Sequence, residues 1–244
     1  MLKKLSAIVL TLSFMAVAQA ASPNCEGLPN FSDIKPILQK AQAEANGGFG
    51  LNMWATIVNR EGIICSVNFS GNTWGDQWTG SRIISAQKAF TANAFSLPGL
   101  ALSTANLYSA VQPGGSLFGL QDSNPIDAKT AYAGLAKDWG TTKDPLIGQR
   151  IGGVNVFGGG LALYNSKGLL IGALGLSGDS SCADHVIAWK MRHYLNLDFV
   201  PAGVSADKDD NLIYLADKET PNGFKHPTCG GTENKVVLPT VSKK

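Results

Sequence analysis

The side chains best suited to chemistry in this chain lie around residue 185, in a segment with helical spacing. His185, Trp189 and His193 recur at every fourth position, so a helix places them on one side. A neutral imidazole can exchange a proton near neutral pH or bind a metal through its free ring nitrogen. This stripe indicates a ligand contact or a subunit interface, and a simply solvated helix face is the alternative.

A second polar group lies on the segment 80–96, which also has helical spacing. Its apolar stripe predicts the side facing the core, with Ile83, Ala86, Phe90, Ala94 and Leu97. Ser85 and Lys88 lie roughly opposite, among small residues. Two interpretations stay open. The small-residue side is a pocket wall where Lys88 meets an anion, or it packs closely while Lys88 extends to water.

No familiar catalytic motif accompanies these residues. The sequence contains no H-E-x-x-H, no G-x-S-x-G and no phosphate-binding loop. Three glycines at positions 172, 175 and 178 lie inside an apolar run, without the spacing of a dinucleotide-binding loop. Glycines in such a strand typically allow another backbone or a helix to approach closely. No catalytic residue is assigned.

The rest of the pattern predicts a mixed α+β domain. Alternating or β-branched runs predict strands over 53–59, 63–69, 152–164 and 167–176. Apolar spacing predicts helices over 31–46, 80–96, 98–112, 126–135 and 180–196, the first of them capped by Ser32. After residue 196 the periodicity is sparse, so the segment 197–244 is predicted to be an extension.

Residues 1–20 have the pattern of an export signal. Lys3 and Lys4 precede an apolar stretch, and Ala18-Gln19-Ala20 fits a cleavage site. The apolar stretch is shorter than the ~20 residues that span a bilayer, although an uncleaved anchor is the alternative. Loss of two lysines takes the formal net charge from +2 to 0. We therefore expect a periplasmic or secreted protein with no later membrane span, and no nucleic-acid partner.

Four cysteines remain after the signal, which favours two disulfides in an oxidising compartment. No two of them form a C-x-x-C motif, so a zinc knuckle is not expected. Three pairings are open. We favour Cys25–Cys65 and Cys182–Cys229, because each ties a chain extension to the folded centre.

Four segments together resemble the GlcG/HbpS-like family of haem-binding and haem-degrading proteins. They are residues 57–62 (IVNREG), 85–92 (SAQKAFTA), 159–164 (GGLALY) and 171–178 (IGALGLSG), with Asp184 beyond the last. Asn59 replaces an aspartate of the family pattern, and the third segment lacks its proline. The resemblance assigns 21–196 to a GlcG/HbpS-like domain between the signal and the extension.

The resemblance implies an antiparallel sheet of about five strands with flanking helices, a layered fold similar to PAS and profilin domains. It also implies a homo-oligomer that binds haem or a related tetrapyrrole, in uptake, sensing or degradation. Whether the protein is an enzyme is left open. The alternatives are an enzyme or accessory protein acting on small organic acids, and a structural oligomeric envelope protein.

Haem iron takes His, Met, Cys or Tyr as protein ligands. His185 is the first candidate for the iron ligand, because it directly follows the family-matching Asp184 near a helix N-terminus. Lys88 could pair with a propionate, and Ser85 and Thr91 could donate hydrogen bonds nearby. Asp184 is expected mainly to cap the helix or to interact favourably with its dipole.

Overall fold

Four antiparallel strands form the centre of the described part of the protein. The computed structural model describes residues 25–218 and 222–242. The strands are β1 (Trp54–Asn59), β2 (Ile64–Phe69), β3 (Gly160–Tyr164) and β4 (Leu170–Ser177), in the spatial order β2-β1-β4-β3. The predicted α+β class and antiparallel sheet are confirmed. The predicted export signal lies outside the described residues and stays a prediction.

Four α-helices accompany the sheet in the part of the chain that the structure describes. They are α1 (Phe31–Ala43), α2 (Ser81–Phe95), the single-turn α3 (Ala128–Ala131) and α4 (Ser181–Tyr194). Asn30 caps α1 through a capping box with Asp33, so the prediction of Ser32 as the cap is wrong. The predicted helix over 98–112 is two short 3-10 helices, Thr104–Leu107 and Ser109–Val111. None of the described helices has the length and apolar character needed to cross a bilayer.

Helices cover both faces of the sheet, which explains why every residue of β1 is buried. Ala55 and Ile57 point into a core shared with α1 and α4, whereas Trp54 and Val58 pack with α2. Alternate residues of a strand point to opposite faces, so one strand contributes to both cores. The site described below lies at the end of the sheet where β4 leads into α4.

The sheet has four strands among the described residues, fewer than the expected five or so. The predicted strand over 152–164 shortens to β3, which begins at Gly160. Gly152 and Gly153 both have positive φ angles, 65° and 83°. Such angles are incompatible with extended backbone, so residues 152–159 form a loop.

Helix α2 turns its small-residue side to the sheet, and Ile83 and Ala86 of the predicted apolar stripe are also buried. Ser85 and Lys88 on the small-residue side are buried, whereas Leu97, predicted for the core, is 57% exposed. A Cβ atom at Gly175 would lie 2.0 Å from the Ser85 carbonyl oxygen. The helix therefore approaches β4 so closely that small residues must form the contact, as expected for glycines in a strand.

Both favoured disulfides are present. Cys25 is bonded to Cys65 and Cys182 to Cys229, with Cα–Cα distances of 5.7 and 5.9 Å. The second disulfide fastens the chain after residue 196 to the first turn of α4. We refer to the described part of that chain, residues 197–218 and 222–242, as the C-terminal cover.

Candidate functional site

A buried ion pair joins the first turn of α4 to α2. Lys88 Nζ lies 2.7 Å from Asp184 Oδ2, and the two side chains are 1% and 3% exposed. The same ammonium donates a hydrogen bond to the Leu176 carbonyl at 3.0 Å. The backbone N–H of Asp179 donates to Asp184 Oδ1 at 2.9 Å. The lysine and the carboxylate are thus each held by two partners inside the protein.

Burial dominates the electrostatics of this pair. It raises the pKa of Asp184 from 3.8 to about 6, although Lys88 and the Asp179 N–H both favour the carboxylate. Removing a carboxylate from water disfavours its charged form more than these partners stabilise it. Asp184 is therefore ionised at neutral pH and takes up a proton in mildly acidic solution.

Gly159 allows the chain entering β3 to pass directly against the ion pair. Its φ angle is 117°, in a region that side chains rarely adopt. A Cβ atom there would lie 2.5 Å from the Leu176 carbonyl oxygen and 3.0 Å from Asp184 Cβ. This close approach explains the glycine run ahead of β3.

His185, the next residue along α4, is in a different situation. Its side chain is completely buried, and neither ring nitrogen has a hydrogen-bond partner among the described residues. Burial lowers the pKa of its imidazole to about 3, so the ring is neutral. The ring of Trp189 lies 5.9 Å away, centroid to centroid. A buried polar group without a partner is rare in folded proteins and calls for an explanation.

The C-terminal cover closes over this face of α4. One turn before His185, Cys182 is bonded to Cys229. One turn after it, Trp189 Nε1 donates to the Pro239 carbonyl at 2.8 Å. A further turn along, Arg192 makes two hydrogen bonds of 2.7 Å with Asp210 in a fully buried ion pair. His185 and Trp189 are therefore covered by the chain itself, which rules out the alternative of a solvated helix face at these two positions.

The cover also brings a second histidine to the first turn of α4. His226 Nε2 lies 3.4 Å from Ser181 Oγ, and His226 Nδ1 donates to the Pro227 carbonyl at 2.7 Å. Its ring centroid is 5.1 Å from that of Tyr108. No motif in the sequence singles out His226. Its position three residues before Cys229 was the available signal.

Comparison with known protein families gives one assignment. The family model described as "Haem degrading protein HbpS-like" matches residues 30–192. The chain belongs to the HbpS-like family. The match ends within α4, so the whole C-terminal cover lies beyond it. A comparison with curated proteins gives no match.

Two solved structures are similar in sequence to part of this HbpS-like chain. The first is "Crystal Structure of PduOC:Heme Complex", with 26% identity and a TM-score of 0.45, covering 66% of this chain and 91% of that one. The second is the Klebsiella pneumoniae protein ORFY of family DUF336, with 25% identity and a TM-score of 0.43, covering 65% and 81%.

The predicted site residues of this HbpS-like chain do not form one cluster. Ser85 Oγ lies 2.7 Å from Thr56 Oγ1, across the contact between α2 and β1. Thr91 Oγ1 donates to the Gln87 carbonyl and accepts the N–H of Asn155. Both hydroxyls have internal partners, so they support α2. The structure does bring Lys88 and Asp184 into direct contact.

Two further expectations about these residues are corrected. Lys88 neither extends to water nor faces an open pocket, because its ammonium is buried beside Asp184. Asp184 is not the cap of α4, since the Ser180 side chain accepts the N–H of Ala183. It does lie in the first turn, where a carboxylate interacts favourably with the helix dipole. His193 is 39% exposed and pairs with Asp198 at 2.8 Å.

Proposed function

We propose that this protein binds haem or a related tetrapyrrole, with His185 as the iron ligand. The observation that carries the proposal is the buried imidazole of His185, whose two ring nitrogens have no partner among the described residues. The neutral form of an imidazole is the one that binds a metal, and the lowered pKa keeps the ring neutral at any physiological pH. Membership of the HbpS-like family supports the choice of ligand.

The donor fits haem iron, but the closed packing leaves no room for the macrocycle. A cavity of about 230 Å³ lies beside Trp189, between Asp209 and Leu238, and His185 is not part of its lining. Sites for drug-sized ligands typically enclose roughly 300–1,000 Å³. The C-terminal cover must therefore move before a tetrapyrrole reaches His185.

The Lys88–Asp184 pair has a separate role in this proposal. An ammonium already neutralised by a carboxylate is a poor partner for a propionate, so we assign the pair to holding α4 against α2 and β4. Bound haem would supply an iron centre for redox or oxygen chemistry. The chain's own contribution is a neutral imidazole in an environment from which water is excluded.

Titration with haemin tests the proposal. We expect a Soret band to develop with the wild-type protein under conditions that let the cover open, and we expect His185→Ala to lose it. His193→Ala is the matched control, because His193 lies on the same helix but is partly exposed and paired with Asp198. If His185→Ala and His193→Ala give the same spectrum and affinity as wild type, His185 is not the ligand.

Degradation of haem and action on small organic acids are the rival enzymatic functions. The family description supports the first, and incubation of the haem complex with a reductant and oxygen tests it through loss of the Soret band with formation of a linear tetrapyrrole. The second needs a free cation for a carboxylate. The burial of Lys88 against Asp184 does not favour that role.

We further propose that the protein is exported, and the two disulfides support an oxidising compartment. Intact-mass analysis of the natively expressed protein tests this, with an N-terminus at Ala21 expected.

Assembly into a homo-oligomer also stays a proposal. The helix stripe that suggested a subunit interface does not support it, because His185 and Trp189 are covered by the chain itself. Light scattering at micromolar concentration separates a monomer from an oligomer, including the structural oligomer of the third alternative.

A further inference from the structure

The face of α4 that carries His185 is closed by chain from beyond the family-matched region. Residues three before, four after and seven after His185 are all fastened to the C-terminal cover. The fastenings are the Cys182–Cys229 disulfide, the Trp189 hydrogen bond and the Arg192–Asp210 ion pair. Successive turns of one helix face are thus held by one covering segment.

The three fastenings differ in kind. The hydrogen bond and the ion pair can break and re-form during thermal opening of the segment, whereas the disulfide holds it covalently. The disulfide is also in the turn just before His185. Beside it lie the Cys182 backbone nitrogen, which is 3.1 Å from Cys229 Sγ, and the His226 ring, whose Nδ1 is 4.0 Å from Cys182 Sγ. Cleavage of the Cys182–Cys229 disulfide is therefore the step that controls opening of the cover next to His185.

We propose that the Cys182–Cys229 disulfide is a redox latch that controls access of the tetrapyrrole to His185. The inference rests on the haem-binding function proposed above. A dithiol reductant would open the latch by thiol–disulfide exchange. The Cys182–Cys229 bond breaks, two cysteine thiols form with the two protons and two electrons of the reductant, and the dithiol becomes a disulfide. The cover then opens at its attachment beside His185.

The test compares two variants of the full chain, each lacking one of the two disulfides, by stopped-flow haemin binding. Cys182→Ala/Cys229→Ala removes the latch and leaves no new thiol to bind iron. Cys25→Ala/Cys65→Ala is the matched control, since it removes a disulfide of similar loop length, 40 against 47 residues, on β2. We expect the latch variant to develop its Soret band at least ~10-fold faster than wild type, because a disulfide typically contributes more free energy than a tenfold effect requires.

Hydrogen exchange gives a readout that does not depend on haem. Mild reduction of the wild-type protein, or the latch variant itself, should increase exchange in residues 222–242 while β1 and β4 stay protected. Unchanged exchange in residues 222–242 after confirmed cleavage of the disulfide would overturn the latch. This measurement also decides the question if the latch variant does not fold, because the reduced wild-type chain can be used instead.

The outcomes separate the two proposals. Equal haemin binding by oxidised wild type, latch variant and control overturns the latch and leaves the function standing. Faster binding by the latch variant, abolished by adding His185→Ala, supports both. If exchange increases as expected but no form of the protein binds haemin, the cover opens as inferred and the haem-binding function is wrong.

Discussion

Asp184 and His185 are neighbours in sequence, both are buried, and they differ in almost every other respect. Each carboxylate oxygen of Asp184 has a hydrogen-bond partner, one from Lys88 and one from the Asp179 backbone. Neither ring nitrogen of His185 has one among the described residues. The partners of Asp184 lie inside the family-matched region, whereas His185 lies under chain from beyond it.

This contrast separates a structural role from a ligand-binding role. A buried polar group that is satisfied stabilises one arrangement of its neighbours, and a buried group without partners costs free energy until a ligand supplies one. On this basis the ion pair fixes α4 on the sheet, and the imidazole beside it is the group kept available.

The largest expected effect is on the ion pair. Lys88→Met leaves the Asp184 carboxylate buried without its counter-ion, and breaking such a pair typically costs about 3–5 kcal/mol. We expect a fall of that size in the free energy of unfolding at pH 7.5, measured by urea denaturation. The loss should shrink at pH 5, where Asp184 can take up a proton.

A double variant shows whether charge or packing is responsible. Lys88→Met/Asp184→Leu removes both charges and keeps apolar volume, so it should recover most of the stability lost in Lys88→Met. If Lys88→Met alone changes the stability by less than about 1 kcal/mol, the pair does not hold α4 and the structural half of the comparison fails.

The second effect is a pair of opposite pH dependences. The pKa of Asp184 is raised to about 6, so the folded protein binds more protons than the unfolded chain between about pH 4 and 6. Its contribution to the free energy of unfolding therefore falls as the pH rises through this range. The pKa of His185 is lowered to about 3, so its contribution rises with pH between about 3 and 6.5. The two nearly cancel in the wild-type protein.

When either residue is replaced, the pH dependence of stability that comes from the other is no longer cancelled. As the pH rises from 4 to 6, the free energy of unfolding of His185→Leu should fall by about 3 kcal/mol relative to wild type, because only the Asp184 contribution remains. One proton corresponds to about 1.4 kcal/mol per pH unit. Asp184→Asn should gain about as much over the same range. Urea denaturation at half-unit pH intervals measures both slopes. Parallel profiles for the three proteins would contradict the opposed protonation of the two neighbours.

The smallest effect is a gain. At pH 7, His185→Leu replaces an unpartnered buried imidazole with an apolar side chain, and relieving such a group is worth about 1–3 kcal/mol before packing differences. We expect the melting temperature and the free energy of unfolding to rise, while haemin binding is lost. His193→Ala, at a partly exposed position, should change the stability by less than about 1 kcal/mol.

A clear loss of stability in His185→Leu would mean that the histidine has a structural role. The assignment of His185 as the available group would then lose its physical basis. The comparison would have to be drawn between two structural residues instead.

Local patterns were sufficient for much of the framework. The β1–β2 hairpin follows from two β-branched runs around a short turn, and α4 begins at its predicted cap region and ends within two residues of the expected place. The cysteine pairing also followed, because each pair joins an extension to the centre. The apolar stripe placed Ile83 and Ala86 of α2 correctly but not Leu97, because the glycines of β4 favour small residues at the contact.

What the sequence by itself determined, then, is the antiparallel α+β core, the family and the identity of the candidate histidine. Only the tertiary structure decided that His185 is buried. The cover has little periodicity, and long-range contacts such as Arg192–Asp210 and Cys182–Cys229 fix its position on α4. Helical spacing reports which residues share a face, but it carries no information about which distant segment closes over that face.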